Sequence, residues 1–278
     1  MQLEKFYNIL LKNFQSFKVS FYKHSAKSNA GRKPKITDEE IAAAFILSYI
    51  TGMPVLKIAR QFIDDSIKSY HIFRKSRIKR IYELLRIYLQ MRILSVIIEV
   101  LVSNKKPRLI VDGTILPVAN LNRARTQRIK RFNGKMFWVR RKRNLYSQHY
   151  KKRVKFEEIY YGVLVMVICD TKGRVYDIWF HPASYHEVKS FRLRAKTSIW
   201  FKRLISFFEV IGDKGYRGCE NVIVCETKED KAQRQIIESI FSRLKQFNAL
   251  SRWRKGITLL SYLYAYAIGY SFFRYCEV

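Results

Sequence analysis

Three carboxylates stand where they could do phosphodiester chemistry together. Asp112 follows the apolar run Leu109–Val111, Asp213 follows Val210–Gly212, and Glu238 lies on a helical stretch soon after. Both apolar runs read as strands, so each Asp ends one of them. If the two strands are adjacent and parallel, both acids emerge at one sheet edge, where α/β proteins usually place their sites. Three carboxylates offer the hard oxygen ligands that Mg²⁺ or Mn²⁺ prefers. Two such ions roughly 3.5–4 Å apart activate an attacking oxygen and stabilise a leaving one. Taken singly, each acid reads better as a turn or cap residue. As a set inside a basic chain they read as a site.

The surroundings are strongly cationic. The 278 residues include 54 Lys and Arg against 22 Asp and Glu, a formal net charge of +32. Such an imbalance repels itself in the folded state, so a polyanionic partner is expected. Nucleic acid leads, ahead of ribosomal RNA or an acidic membrane surface. Half of the excess falls in residues 105–155, which hold 17 basic side chains and a single acid, Asp112. The run 123–155 has 14 basic residues and no acid, among them Arg140, Arg141, Lys142 and Arg143. Phe132, Phe137, Trp138, Tyr146 and Tyr150 are interleaved with them. Cations with aromatics suit DNA, by phosphate contact and by stacking on distorted or single-stranded ends. The plainer reading of the same run is a solvated loop.

The elements that must position these residues fall into two parts. Residues 1–104 are helical in pattern. A stripe of Leu3, Phe6, Leu10, Phe14 and Phe17 opens the chain, and the polar stretch 25–35 reads as a loop or arm. Thr37 and Glu40 form a capping box for a helix through Ile50. Gly52 and Pro54 break that helix, a shorter one covers Val55–Phe62, and a third runs from about Arg77 to Val102. Two helices across a tight turn form either a DNA-docking helix-turn-helix or part of an ordinary bundle.

From Pro107 the pattern changes to strands. Arg108–Gly113, Glu158–Cys169, Val175–Phe180, Phe207–Gly212 and Val222–Val224 read as β, with helices over Glu187–Trp200 and Asp230–Gln246. The second and third strands make an antiparallel pair across the turn Asp170–Gly173. The expected class is α/β, a mixed sheet with helical cover behind an all-α N-terminal domain. The apolar stretch Ile257–Phe273 is shorter than the roughly 20 residues of a membrane span and reads as a buried helix. Four scattered cysteines without zinc-ligand spacing fit a reducing cytosol, and no membrane is expected as partner.

Val111–Pro117 (VDGTILP), Ile211–Gly218 (IGDKGYRG) and Arg234–Lys245 (RQIIESIFSRLK) together resemble the three acid motifs of insertion-sequence DDE transposases. Lys231 stands where that family often has Tyr, and His186-Glu187 where relatives commonly have a His-Asp pair. The resemblance covers residues 107–275 well and 32–100 loosely. It implies a ribonuclease H-like catalytic domain over 105–278, with a basic insertion at 123–155 and a helical DNA-binding domain over 1–104. Asp112, Asp213 and Glu238 would be the catalytic, metal-binding acids, with two Mg²⁺ or Mn²⁺ ions as cofactor. Lys231, Arg234, Arg243 and Lys245 would contact DNA, and His186 would lie near Asp213. Such an enzyme frees the 3′ ends of its element at the terminal inverted repeats and joins them to target DNA, with no covalent protein–DNA intermediate. Handling two ends together implies a homodimer on DNA, cytoplasmic and nucleoid-associated. A catalytically silent DNA-binding relative and a basic RNA-binding protein remain the alternatives.

Overall fold

The computed structural model describes residues 3–21, 36–103, 107–117, 137–147, 152–247 and 256–276. Helix α1 (Leu3–Phe21) buries Phe6, Leu10 and Phe14 along one stripe, as its spacing dictates. Helix α2 (Asp38–Thr51) starts at the capping box. The Glu40 N–H donates to Thr37 Oγ1 (3.2 Å), and the Thr37 N–H donates to the Glu40 carboxylate (2.7 Å). Gly52 ends it in the left-handed region (φ 69°), open to a residue without Cβ. Helix α3 (Val55–Phe62) then departs at 118°. Ile41 through Leu47 are all fully buried, so α2 is a central core helix with α3 laid across its end. A short α4 (Ser69–Phe73), not expected from pattern, precedes the long α5 (Lys75–Ser103).

Six strands follow, interrupted by two helices: β1 (Leu109–Pro117), β2 (Trp138–Ser147), β3 (Lys152–Asp170), β4 (Val175–Pro182), α6 (Glu187–Thr197), α7 (Ile199–Phe207), β5 (Val210–Gly212) and β6 (Val222–Val224). They form one open mixed sheet. Strand β3 lies antiparallel to β1 on one edge and to β4 on the other, while β5 runs parallel to β1 and β6 parallel to β5. Two helices close the chain, α8 (Lys228–Gln246) and α9 (Gly256–Cys276). The architecture is α/β, with helices flanking a mixed sheet.

Several boundaries differ from the sequence pattern, each for a tertiary reason. Strand β1 does not stop at Asp112. It continues to Pro117 because Thr114–Leu116 are buried and the ladder with β3 runs on to Pro117 opposite Gly162. Asp112 is therefore mid-strand, opposite Val167. The helical stretch after Glu187 is two helices, since the Ser198 side chain accepts from the Phe201 N–H (3.2 Å) and starts a new one. Phe207 ends that second helix, which leaves only Val210–Gly212 for β5. Part of the basic run is itself a strand. Within the described residues, β2 pairs with β3 from Trp138 opposite Tyr161 to Ser147 opposite Lys152.

The apolar face of α9 decides how the two halves meet. Leu263 and Ala265 through Ile268 are fully buried, against α2, α5 and β4. The Tyr266 hydroxyl donates to the Ile240 carbonyl of α8 (2.6 Å). One continuous apolar cluster thus spans the N-terminal helices, the sheet and α9. Among the described residues no single helix is long and apolar enough to cross a membrane. The bent α2–α3 pair passes that test only jointly, and the α2 part of it is the core helix just described.

Candidate active site

The pairing of β1 with β5 sets the two aspartates side by side. Leu109 lies opposite Val210 and Ile110 opposite Ile211, in parallel. The same offset, carried two residues on, puts Asp112 level with Asp213. Asp213 follows directly on β5 and caps a 3-10 turn (Lys214–Tyr216), its carboxylate accepting from the Gly215 N–H (2.9 Å). The Asp112 carboxylate accepts from the Gly113 N–H (2.8 Å).

Helix α8 brings the remaining charges. Its own capping box, Thr227 with Asp230, fixes where it begins. Arg234 and Glu238, one turn apart, then share a face. The Arg234 guanidinium lies 3.5 Å from the Asp112 carboxylate. Burial raises the Asp112 pKa most, against the Gly113 N–H and the Arg234 charge, and the charges of Asp213 and Glu238 raise it further. The three acids are therefore electrostatic neighbours, and Arg234 offsets part of their repulsion.

The chain matches no family model, no curated protein and no solved structure.

The donor chemistry fits a hard divalent cation: carboxylate oxygens only, on β1, directly after β5 and on helix α8. Among the described residues, no three His, Cys, Asp or Glu stand close enough as arranged to hold one ion. Closing the set requires Glu238, exposed on α8, to turn inward. It also requires the half-buried Arg234 to release Asp112.

The other sequence-derived residues are spread more widely. Lys231 is exposed on the first turns of α8, while Arg243 and Lys245 are exposed near its end. The Arg243 charge acts on the Tyr49 and Tyr266 phenols, on the side of α2 and α9. His186 is the exposed N-cap residue of α6 and makes no side-chain capping hydrogen bond. Arg140 is exposed on β2, 3.5 Å from Glu157 of β3. Arg141, Lys142 and Arg143 follow it along β2, in register with Glu158, Glu157 and Phe156. The remaining basic residues at 123–136 and 151, the aromatics Phe132 and Tyr150, and the polar stretch 25–35 lie outside the described residues.

Two groups that the motifs contained but gave no role lie near these strands. Glu187, first residue of α6, packs over Gly113: a Cβ there would lie 2.8 Å from Glu187 Cγ. Tyr216, at the end of the 3-10 turn, is fully buried, and its hydroxyl has no hydrogen-bond partner among the described residues. The motif Asp-Lys-Gly-Tyr contained Tyr216, but nothing local showed that its ring turns inward.

Proposed function

We propose that this protein is a DNA transposase of an insertion sequence, cleaving the ends of its element and transferring them to target DNA. The observation that carries the reading is the register of β1 with β5, which sets Asp112 level with Asp213 while α8 brings Arg234 and Glu238 to the same place. Three antiparallel strands, β4, β3 and β1, followed by two parallel ones, β5 and β6, support a ribonuclease H-like domain.

In this reading Asp112, Asp213 and Glu238 hold two Mg²⁺ or Mn²⁺ ions, which when bound activate the attacking oxygen and stabilise the leaving one. The chain's own residues supply position and charge, the larger part of phosphoryl-transfer catalysis. Arg234 neutralises Asp112 in the resting arrangement and is placed to pass to a phosphate oxygen when DNA arrives. Lys231, Arg243 and Lys245 line the exposed length of α8 for the backbone on either side. The basic β2–β3 pairing carries a second row of cations, on a two-stranded ribbon of the kind a major groove admits. Two chains on DNA would hold the two element ends together.

The test is direct. Purified protein with Mg²⁺ or Mn²⁺ should nick a labelled duplex carrying the DNA that flanks its gene. Asp112→Asn, Asp213→Asn and Glu238→Gln should each abolish nicking and leave DNA binding within about twofold, since phosphate contacts carry most of the affinity. Wild type and variants cutting alike would sink the enzyme reading. A second reading, a DNA-binding relative without catalysis, is favoured by the Arg234–Asp112 ion pair, which occupies the central carboxylate. Binding without cutting in either metal would establish it.

A further inference from the structure

Helix α5 is apolar on two sides, and the chain's own core uses one of them. Ile81, Leu85, Tyr88, Ile93 and Val100 are buried in that core. Leu94, Ile98, Leu101 and Val102 are exposed instead, Ile98 to 61%, Leu101 to 64% and Val102 to 84%. Eleven large apolar side chains are exposed among the described residues, and these four fall within nine consecutive positions. Single exposed apolar residues need no explanation, but a contiguous patch marks an interaction surface.

The spacing says what kind of element the patch fits. Met91 and Ile87, both half-buried, continue the row toward the start of the helix. Positions 87, 91, 94, 98 and 101 follow one another at intervals of four, three, four and three residues. That is the a/d repeat of a coiled-coil seam, whose side chains interlock with those of a facing helix. None of the five belongs to the apolar core cluster of the described residues. The row is a seam without its second helix.

Charge selects that helix. Residues 93–104 contain no Lys or Arg, and Glu99 is their only charged residue, in a chain with 54 basic side chains. Two molecules of net charge +32 repel wherever their cations meet, so copies can touch only on a face that lacks them. The orientation follows from the same reasoning. The first turns of α5 carry Lys75, Arg77, Lys79 and Arg80. A parallel pair would set these against their own copies, whereas an antiparallel pair holds them at opposite ends. A two-fold axis crossing the row near Leu94 gives the antiparallel arrangement, with the same patch on both copies.

We propose that the outer face of α5 is a homodimer contact, an antiparallel helix pair made with a second copy of this chain and formed without DNA. It supplies the contact that two chains on DNA need, and it rests on that reading for its use alone, since the acids take no part in it.

Sedimentation equilibrium of the full-length protein, freed of nucleic acid, tests it at about 0.1 M and about 0.5 M NaCl. Wild type should be a dimer, and a tighter one at the higher salt, because screening weakens the repulsion and leaves the apolar contact intact. Ile98→Asn combined with Leu101→Asn should raise the dimer Kd by about tenfold or more, through the loss of two buried aliphatic side chains. Ile199→Asn, at an exposed apolar position on α7, should leave the Kd unchanged. Ser95→Arg places a cation beside the row and removes no apolar group. It should also weaken the dimer, and it serves if the double variant loses its native circular dichroism. A wild-type monomer at both salts, a dimer that dissolves as salt rises, or seam variants that associate like wild type would each overturn the contact and leave the nicking test untouched. A wild type that dimerises in this way but never nicks would sink the transposase reading and leave the contact standing.

Discussion

Burial, together with the charges of Asp213 and Glu238, raises the Asp112 pKa against the pull of Gly113 N–H and Arg234. The folded state thus holds the Asp112 proton more tightly than the unfolded chain does. This contribution to stability is fully present below the unfolded pKa and is lost as pH rises through the folded one. Asp112→Asn removes the penalty at neutral pH. It should raise stability by about 1 kcal/mol in urea denaturation, within the range seen when a strained functional group is relieved, and flatten the pH dependence in the acid range. A lower midpoint than wild type would count against the strained-acid account. Burial raises the Asp177 pKa as well, but its carboxylate is held by partners on two helices. It is buried under two hydrogen bonds from Arg194 (2.9 and 3.1 Å) and one from the Tyr264 hydroxyl (3.2 Å). Asp177→Ala leaves the Arg194 charge in a largely buried place, and should cost about 3–5 kcal/mol. A loss under 1 kcal/mol by the same urea measurement would show that Arg194 escapes to solvent. No motif distinguished Asp177 from any other strand acid, because its partners come from α6 and α9.

At the scale of elements, the site depends on where β1 lies against β3. The two strands meet tightly at Gly162, where an added Cβ would fall 2.2 Å from the Leu116 carbonyl oxygen and 3.1 Å from Pro117 Cα. Both are backbone atoms, so β1 itself must move. Gly162→Ala should destabilise by about 1–3 kcal/mol, the usual cost of overpacking. Because β1 carries Asp112, nicking should fall even at temperatures where circular dichroism is native. Full activity in a folded Gly162→Ala protein would mean that the far end of β1 shifts without disturbing Asp112. The basic run changes its surroundings once it is paired as a strand. In sequence it is a field of like charge. Paired along β3, its Arg140 meets Glu157, and its following cations are spaced by the strand repeat.

For the whole molecule, the consequence of the packing is that α9 belongs to both halves. Its apolar length is covered by α2 and α5 from the N-terminal part and by β4 from the sheet. A fragment of residues 105–278 would expose that helix, the kind of large apolar surface that drives association. It should be insoluble or aggregated on size exclusion, whereas the full chain should unfold in a single transition. A monodisperse fragment with native-like circular dichroism would show instead that the C-terminal half folds alone. The charge works at the same scale. A net charge of +32 repels itself, and a polyanion would relieve that repulsion.

Local pattern sufficed for what is settled within a few residues. Thr37 and Glu40, or the stripe from Leu3 to Phe17, announce a helix because capping and a 3.6-residue period act over one or two turns. The apolar runs before Asp112 and Asp213, and the pair Glu158–Cys169 with Val175–Phe180, read as strands for the same reason. The class of the fold and the candidate acids were legible at that level. Tertiary structure alone decided that β1 runs past Asp112, since only the ladder with β3 holds Thr114–Pro117 extended. It also decided that β1 and β5 are neighbours, that Glu187 enters beside Gly113, and that α9 covers the N-terminal helices. Each of these depends on contacts between segments far apart in the chain, which no local periodicity encodes. The three acids could be named from the sequence; only the register of β1 with β5 put Asp112 level with Asp213.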